Sequence, residues 1–257
     1  MKKTLMYLLM CCLSFSFILG SASAKGEVRK EEGAFVKQTV TNEYDSFKKL
    51  QKKSVDELKS MGYSVDQIQY IHGFDFKTEL SNKVLELQTK DYSVLKNLGY
   101  HDRQIEIINN YEGTENQVAM LAASVTLSAF FGSHTKSASY TAVNSVTMFS
   151  WDSEPIFLLD DIVAVPWTEG FYLDTSTSTA QITYVKVSDG SIYTTGYPTI
   201  TPSLNMGASI KFDMGYPISG SDRVYAKAGV LGLRIHKQDL VEEVAIQPRW
   251  TYNISNR

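Results

Sequence analysis

Two stretches of the chain carry the same pattern of apolar and polar residues. Leu50–Phe74 and Leu87–Tyr111 align with an offset of 37 residues, and ten of the twenty-five aligned positions are identical. Apolar residues such as Ile68 and Ile71 recur at three- and four-residue spacing, which is typical of one face of a helix. A duplication of this length predicts stacked helical units, because a single unit cannot bury its apolar face alone.

Short helices with defined ends are predicted in both copies. Two residue pairs match the capping box, in which two side chains three positions apart satisfy each other's backbone amides: Ser54 with Glu57, and Ser64 with Gln67. Gly62 and Gly99 stand where a left-handed residue ends a helix, and glycine adopts that conformation without strain. We therefore expect valine at either glycine to destabilise the helical part similarly, by about 1–3 kcal/mol.

A partial third copy closes the helical part. Thr114 with Gln117 gives another capping box, and the pattern ends near Ala123, since a terminal unit must be capped. The sequence thus predicts a helical-repeat domain at Asn42–Ala123, with two 37-residue repeats and a partial third. The preceding Lys25–Thr41 is rich in Glu and Lys and lacks a sustained apolar period, so we expect a flexible leader without regular structure.

After Ser124 the period changes to two, and Thr, Ser, Val, Tyr and Gly become frequent. Eight segments read as strands: Val125–Phe131, Tyr140–Trp151, Ile156–Trp167, Ala180–Val187, Ser191–Tyr197, Ala208–Met214, Val224–Lys237 and Val241–Tyr252. They predict an antiparallel β-sandwich at Ser124–Arg257. The predicted fold class is therefore α+β, with N-terminal helical repeats followed by the sandwich.

Two turns in the strand-rich part have their own sequence signals. Asp189-Gly190 lies between two candidate strands and predicts a hairpin with a type I′ turn. Pro198 and Pro202 bracket a loop that we expect to cross between the two sheets.

Three motifs resemble segments of known families. The Met-Gly-Tyr turn at Met61–Tyr63 resembles the loop of ubiquitin-associated domains, which implies a small helical bundle and, in an exported protein, no shared function. Leu98–Tyr100 with Gln104-Ile105 is similar to the Leu-Gly-Tyr…Gln-Ile repeats of uncharacterised secreted proteins of Gram-positive bacteria. Asp160–Trp167 resembles a segment of their β domains, so the resemblance implies helical repeats ahead of a β domain.

The N-terminal residues match a signal peptide. Met1–Ala24 has two lysines, an apolar run at Leu5–Leu19 and a small-residue cleavage motif, so we expect export and a mature chain that begins at Lys25. The apolar run is shorter than the roughly 20 residues of a membrane-spanning helix. Cys11 and Cys12 both lie in this segment, so the exported bacterial chain would have no disulfide and would depend on packing.

Charge excludes some classes of partner. The net charge is −3, and the basic residues are scattered among acidic ones. Nucleic acids and anionic membranes bind clustered Lys and Arg, so we expect neither nucleic acid nor membrane as a partner.

An acidic interval is the most unusual feature of the strand-rich part. Residues 137–185 contain no Lys or Arg but six acids: Asp152, Glu154, Asp160, Asp161, Glu169 and Asp174. Carboxylates can gather a calcium ion, with Asp160 and Asp161 as candidate ligands, although their spacing matches no calcium-binding loop. The alternative is that these acids are spread over exposed strand ends and loops.

Aromatic residues lie in the same interval, and together with the acids they predict a candidate binding face for carbohydrate or peptide. Its members are Asp152, Glu154, Asp160, Asp161, Trp151, Trp167 and Tyr172. The alternative for the aromatic residues is a place in the core, where most aromatics of β-sandwiches lie.

Nothing in the sequence supports catalysis. Ser133 and His134 are neighbours that would point to opposite faces of a strand, and the chain has neither a Gly-x-Ser-x-Gly elbow nor zinc-ligand spacing. We expect a noncatalytic binding protein at or outside the cell surface, with an extracellular protein or a cell-envelope glycan as partner. The alternatives are a secreted hydrolase that uses acids of Asp152–Asp174, and a toxin-like protein whose amphipathic strands, such as Tyr140–Trp151, assemble on membranes.

Overall fold

The computed structural model describes residues 35–252, apart from residues 159, 169, 205, 221, 242 and 243. Within this range the fold is mixed α+β, with seven helices and antiparallel sheets. The predicted signal peptide lies outside the described residues.

The helices precede all but one of the strands. They are α1 (Glu43–Gln51), α2 (Val55–Ser60), α3 (Val65–Gly73), α4 (Phe76–Leu87), α5 (Tyr92–Leu98), α6 (Asp102–Asn109) and α7 (Glu115–Leu121). The predicted capping boxes at Ser54, Ser64 and Thr114 are confirmed. A further capping box begins α6, where the ring Nδ1 of His101 accepts a hydrogen bond from the backbone N–H of Gln104.

The two aligned segments end their first helices in the same way. Gly62 and Gly99 have φ angles of 92° and 108°, which confirms that both adopt the left-handed conformation. The following tyrosine N–H donates back to a leucine carbonyl at 3.1 Å in each copy, from Tyr63 in the first and from Tyr100 in the second. These bonds satisfy carbonyls that the helix leaves without partners at its C-terminus.

A glutamine side chain makes the same contact in both segments. The Gln51 side-chain amide donates to the carbonyl of Ile71 at 3.1 Å, and Gln88 donates to Ile108 at 2.7 Å. The first bond joins the end of α1 to the last turn of α3. The second joins the end of α4 to the last turn of α6.

Twelve strands lie in the described part of the chain: β1 (Phe35–Asn42), β2 (Ser124–Ser137), β3 (Tyr140–Trp151), β4 (Asp160–Pro166), β5 (Tyr172–Leu173), β6 (Thr179–Lys186), β7 (Ile192–Gly196), β8 (Ile200–Ser203), β9 (Gly207–Asp213), β10 (Gly215–Pro217), β11 (Arg223–Lys237) and β12 (Arg249–Tyr252). The larger sheet has the order β1-β2-β3-β11-β6-β7, and β5 and β10 each pair with β11. The smaller sheet has the order β12-β4-β9-β8.

The main apolar core contains side chains of both sheets. Val143 and Ile235 belong to the larger sheet, whereas Val163 and Ile210 belong to the smaller one, and all four are buried in the same cluster. Residues 197–199 lead from β7 in the larger sheet to β8 in the smaller one, which confirms the predicted crossing. Pro202 lies within β8 and not in the connecting loop.

The prediction that Lys25–Thr41 has no regular structure is wrong from Phe35 onward. Residues 35–42 form β1, which pairs antiparallel with β2 and aligns Asn42 with Ser124. The partner strand lies about 80 residues further along the chain, so no local pattern reveals the pairing.

The hairpin between β6 and β7 is confirmed, but the predicted type I′ turn is wrong. A type I′ turn needs positive φ at both central residues, and of the pair only Gly190 has it, at 74°. Asp189 instead accepts a hydrogen bond from the backbone N–H of Ser191 at 2.8 Å. The loop is longer than two residues: the Lys186 N–H donates to the Ser191 carbonyl at 2.9 Å, and the Gly190 N–H donates back to the Lys186 carbonyl at 2.9 Å.

A buried carboxylate joins the helices to the sheets. Glu43, at the start of α1, is 1% exposed, and its side chain accepts hydrogen bonds from the backbone N–H groups of Ile156 at 3.0 Å and Phe157 at 2.7 Å. The Phe157 ring packs among the aromatic rings of the helical part, with centroids 4.7 Å from those of Phe47 and Phe74. Burial raises the pKa of Glu43 to about 7, although the two N–H donors and Lys83 oppose this rise.

The turn at Gly99, in the second aligned segment, is covered by the sheet part of the protein. The turn at Gly62, in the first segment, is open. A β-carbon at Gly99 would overlap the carbonyl oxygen of Asp152 and crowd the Lys227 ammonium group. The Leu98 carbonyl accepts hydrogen bonds from Tyr225 at 3.4 Å and from Lys227 at 3.3 Å. At Gly62 a β-carbon would meet nothing within 4 Å.

We expect unequal effects of substitution at the two glycines, contrary to the expectation from sequence. Gly62→Ala should lower the free energy of unfolding by about 1–2 kcal/mol, because only backbone strain opposes it. Gly99→Ala should lower it by more than about 3 kcal/mol, because the Asp152 backbone must also move. Urea denaturation of the full chain measures both, with Gly113→Ala as a control at another open left-handed glycine. Equal losses of unfolding free energy in Gly62→Ala and Gly99→Ala would contradict the close contact between Gly99 and Asp152.

The Glu43 carboxyl should make stability depend on pH. Its pKa is about 7 in the folded protein and about 4.5 when unfolded, so the folded state binds more protons between these values. Its contribution to stability is therefore present below pH 4.5 and is lost as the pH rises through 7, by up to about 1.4 kcal/mol per pH unit. Urea denaturation of the wild type and Glu43→Gln from pH 4.5 to 8 isolates this contribution. If the difference in free energy of unfolding between the two proteins is the same at every pH, the raised pKa of Glu43 is refuted.

Candidate functional site

The first two acids of the acidic interval lie where the helices meet the sheets. Glu154 is buried, and its carboxylate lies 3.4 Å from the Lys83 ammonium group of α4 and 3.1 Å from Nε of Arg223 in β11. The Asp152 carboxylate accepts a hydrogen bond from the backbone N–H of Ser124 at 2.7 Å. Both side chains therefore serve the junction between the two parts of the protein.

Asp160 and Asp161 are adjacent in β4 and differ in environment. Asp160 pairs with the Lys211 ammonium group of β9 at 2.7 Å, whereas Asp161 is 2% exposed. Successive residues of a strand point to opposite faces, so these two carboxylates do not converge on one ion. Within the described ranges, no group of three or more His, Cys, Asp or Glu side chains is placed to hold a metal ion.

The last described acid of the interval, Asp174, stabilises its own turn. Its carboxylate accepts hydrogen bonds from the hydroxyl of Ser176 at 2.6 Å and from the backbone N–H of the same residue at 3.1 Å. Nε of Arg234 lies 3.9 Å from it. Glu169 lies outside the described residues.

The acidic interval is therefore not an uncompensated cluster. Its cationic partners come from α4, β9 and β11, far away in sequence, so a window of residues 137–185 cannot reveal them. The acids are divided between the junction, the smaller sheet and the end of β5. Glu154, Asp160 and Asp174 are each held by a cationic partner in a different one of these places.

Two of the three candidate aromatic residues belong to the core. Trp151 is 1% exposed and packs edge-to-face on Trp250, with ring centroids 5.6 Å apart. Trp167 is also buried, and its indole N–H donates to the carbonyl of Phe171 at 3.2 Å. Neither residue is available to a ligand, so the core alternative is correct for both.

Tyr172 is the one candidate that reaches solvent with a large aromatic surface. It is 51% exposed and aligns with His236 of β11, whose ring centroid lies 6.2 Å away. On the other side of His236 the ring of Tyr140 lies at 6.1 Å and is inclined by 26°. We call Tyr140, His236 and Tyr172 the aromatic row.

Strand alternation places the row on the outer face of the larger sheet. Ile235 of β11 is fully buried in the core between the sheets, so its neighbours Arg234 and His236 point outward. Tyr172 pairs with His236, and Tyr140 precedes Ala142, the β3 partner of His236, by two residues. The sequence does not predict that Tyr140 and His236 meet, because they lie almost 100 residues apart. The two-residue alternation of apolar and polar positions in β11 is the signal that could have placed His236 on this face.

Polar side chains flank the aromatic row on the same face. Asn144 aligns with Arg234, and its amide donates to the hydroxyl of Ser133 at 2.7 Å. Arg234 in turn lies beside Asp174 at the end of β5. The face thus combines ring surfaces with amide, guanidinium and carboxylate groups that can exchange hydrogen bonds with hydroxyl groups.

Comparison with known proteins adds no relative. No family model, curated protein or solved structure matches the chain. No helix in the described part of the chain is both long enough and apolar enough to cross a membrane.

We expect calcium to leave the melting temperature unchanged. A bound ion at one hundred times its dissociation constant would add about 2.7 kcal/mol of stability, but the described acids of the interval lie in separate places. Thermal melts in calcium and in chelator test this. A higher melting temperature in calcium that is lost in the double variant Asp160→Asn, Asp161→Asn would refute the expectation.

Proposed function

We propose that this is a secreted, noncatalytic binding protein that acts at or outside the cell surface of a Gram-positive bacterium, after export directed by Met1–Ala24. We further propose that it consists of a helical-repeat domain and an antiparallel β-sandwich. The shared glutamine contacts and left-handed glycines of the two aligned segments support the repeat. The common core of the two sheets supports the sandwich, to which β1 adds an edge strand.

The ligand that we propose is a cell-envelope glycan, bound on the outer face of the larger sheet. The observation that carries this proposal is the aromatic row of Tyr140, His236 and Tyr172. Sugar rings have apolar C–H faces that pack on aromatic rings, and their hydroxyl groups need both donors and acceptors nearby. Arg234 and Asn144 beside the row offer such groups.

A glycan suits this face better than a peptide does. The neighbours of the row in β3 and β11 include Ala142, Asn144 and Arg234, of which only Ala142 is apolar. Peptides bind well where an aromatic or aliphatic anchor fills a desolvated pocket. A face with one exposed ring, two partly exposed rings and polar neighbours favours a ligand that is itself both apolar and polar along its length.

Alanine substitutions in the aromatic row should weaken binding to glycan. Tyr172→Ala and Tyr140→Ala should each raise the dissociation constant for purified insoluble peptidoglycan about tenfold, which corresponds to about 1.4 kcal/mol. Tyr197→Ala is a matched control, because Tyr197 is 77% exposed on the connection between β7 and β8. Co-sedimentation of the full chain with the glycan measures all three.

Either of two results would count against the glycan proposal. One is an unchanged affinity in both row variants, which would place the binding surface elsewhere. The other is an equal loss in Tyr197→Ala, which would mean that exposed tyrosines adsorb to the glycan without a defined site.

A further inference from the structure

An open groove lies between α2 and α3, far from the aromatic row in sequence and in a different part of the fold. Its volume is about 500 Å³, and its walls include Val55, Lys59, Val65, Ile68 and His72. Val55 and Val65 are 45% and 66% exposed, so apolar surface is open to solvent on both helices. The groove belongs to the first of the two aligned segments.

In the second segment a side-chain bridge stands at the same position. The residues that correspond to Val55 and Val65 are Tyr92 and Asp102. The Tyr92 hydroxyl donates to the Asp102 carboxylate at 2.6 Å and thereby bridges the starts of α5 and α6. Lys96 completes the bridge, with its ammonium group 3.0 Å from the same carboxylate and 6.0 Å from the centre of the Tyr92 ring.

The first segment retains the cation of this bridge and lacks the other two groups. Lys59 corresponds to Lys96 and lines the groove. In the described part of the chain Lys59 forms no ion pair, whereas Lys96 pairs with Asp102. The groove therefore offers apolar walls and an ammonium group where the second segment holds a phenol ring and a carboxylate.

We propose that this groove binds a segment of another protein that inserts an aromatic side chain between Val55 and Val65 and pairs a neighbouring carboxylate with Lys59. The second segment shows which chemistry suits the position, because its own Tyr92 and Asp102 meet there beside Lys96. The valine walls favour an aromatic ring over a bare anion, since an anion that leaves water needs polar partners on all sides. The single charge of Lys59 then orients the bound segment.

Access to the groove distinguishes the two segments as well. In the first, Met61 is 51% exposed and nothing lies within 4 Å of a β-carbon at Gly62, so a bound polypeptide can continue past the turn. In the second, the corresponding turn is covered by Asp152 and Lys227. This site is independent of the glycan proposal, because no residue of the aromatic row takes part.

The peptide acetyl-Ala-Tyr-Asp-Ala-amide, titrated into the full chain and followed by the NMR signals of valine methyl groups, tests the proposal. The signals of Val55 and Val65 should shift and saturate with one peptide per chain. Peptides with Ala in place of Tyr, or Asn in place of Asp, should bind at least tenfold more weakly. Shifts that never saturate, or equal binding of the three peptides, would overturn the proposal.

The chain supplies matched variants. Val55→Tyr with Val65→Asp copies the bridge of the second segment into the groove and should abolish peptide binding. Tyr92→Val with Asp102→Val removes the bridge of the second segment and should raise the stoichiometry from one to two peptides per chain, because a four-residue peptide does not need to extend past the covered turn at Gly99. Unchanged binding in the first variant together with unchanged stoichiometry in the second would overturn the proposal. Valine shifts that depend on protein concentration without peptide would overturn it too, because the occupant would then be a second copy of this chain.

Discussion

Glu43 directly follows β1 as the first residue of α1, and its carboxylate accepts hydrogen bonds from backbone groups 113 and 114 residues further along the chain. Removal of a carboxylate from water is costly, and the raised pKa of Glu43 expresses that cost. In return, the two bonds fix the segment after β3 so that Phe157 reaches the aromatic cluster of the helices. Without this anchor, the segment would leave two buried amide groups without acceptors and the helical core without one of its rings.

The ion pairs at the same junction follow from this geometry. Once residues 153–158 lie against the helices, Glu154 is buried and needs cations from both sides, which Lys83 of α4 and Arg223 of β11 provide. Loss of either cation would strongly destabilise the protein, because it would leave the buried carboxylate with uncompensated charge. The junction therefore holds the helical and sheet parts in one relative position, and it keeps the Glu154 carboxylate buried between its two cations.

Features that depend on neighbouring residues could be predicted from the sequence, and features that depend on distant residues could not. The capping boxes at Ser54 and Ser64 and the left-handed Gly62 and Gly99 are local, so their residue types identify them. The long strands β3 and β11 carry a clear two-residue alternation and were predicted almost in full. The pairing of β1, the cationic partners of the acids, and the meeting of Tyr140, Tyr172 and His236 all depend on contacts between remote parts of the chain. Of the predicted site, only Tyr172 lies on the face that now carries the binding proposal.

All seven described helices lie between β1 and β2, which are neighbouring strands of one sheet. Asn42 and Ser124 stand opposite each other, and the Asn42 amide also donates to the carbonyls of Ala119 and Ala122 at the end of α7. The chain thus leaves the sheet and returns to it at almost the same point, as an inserted domain does when its termini are close together. The helical part therefore takes the place of a single long connection between two paired strands, and the register of those strands fixes the distance between its two ends.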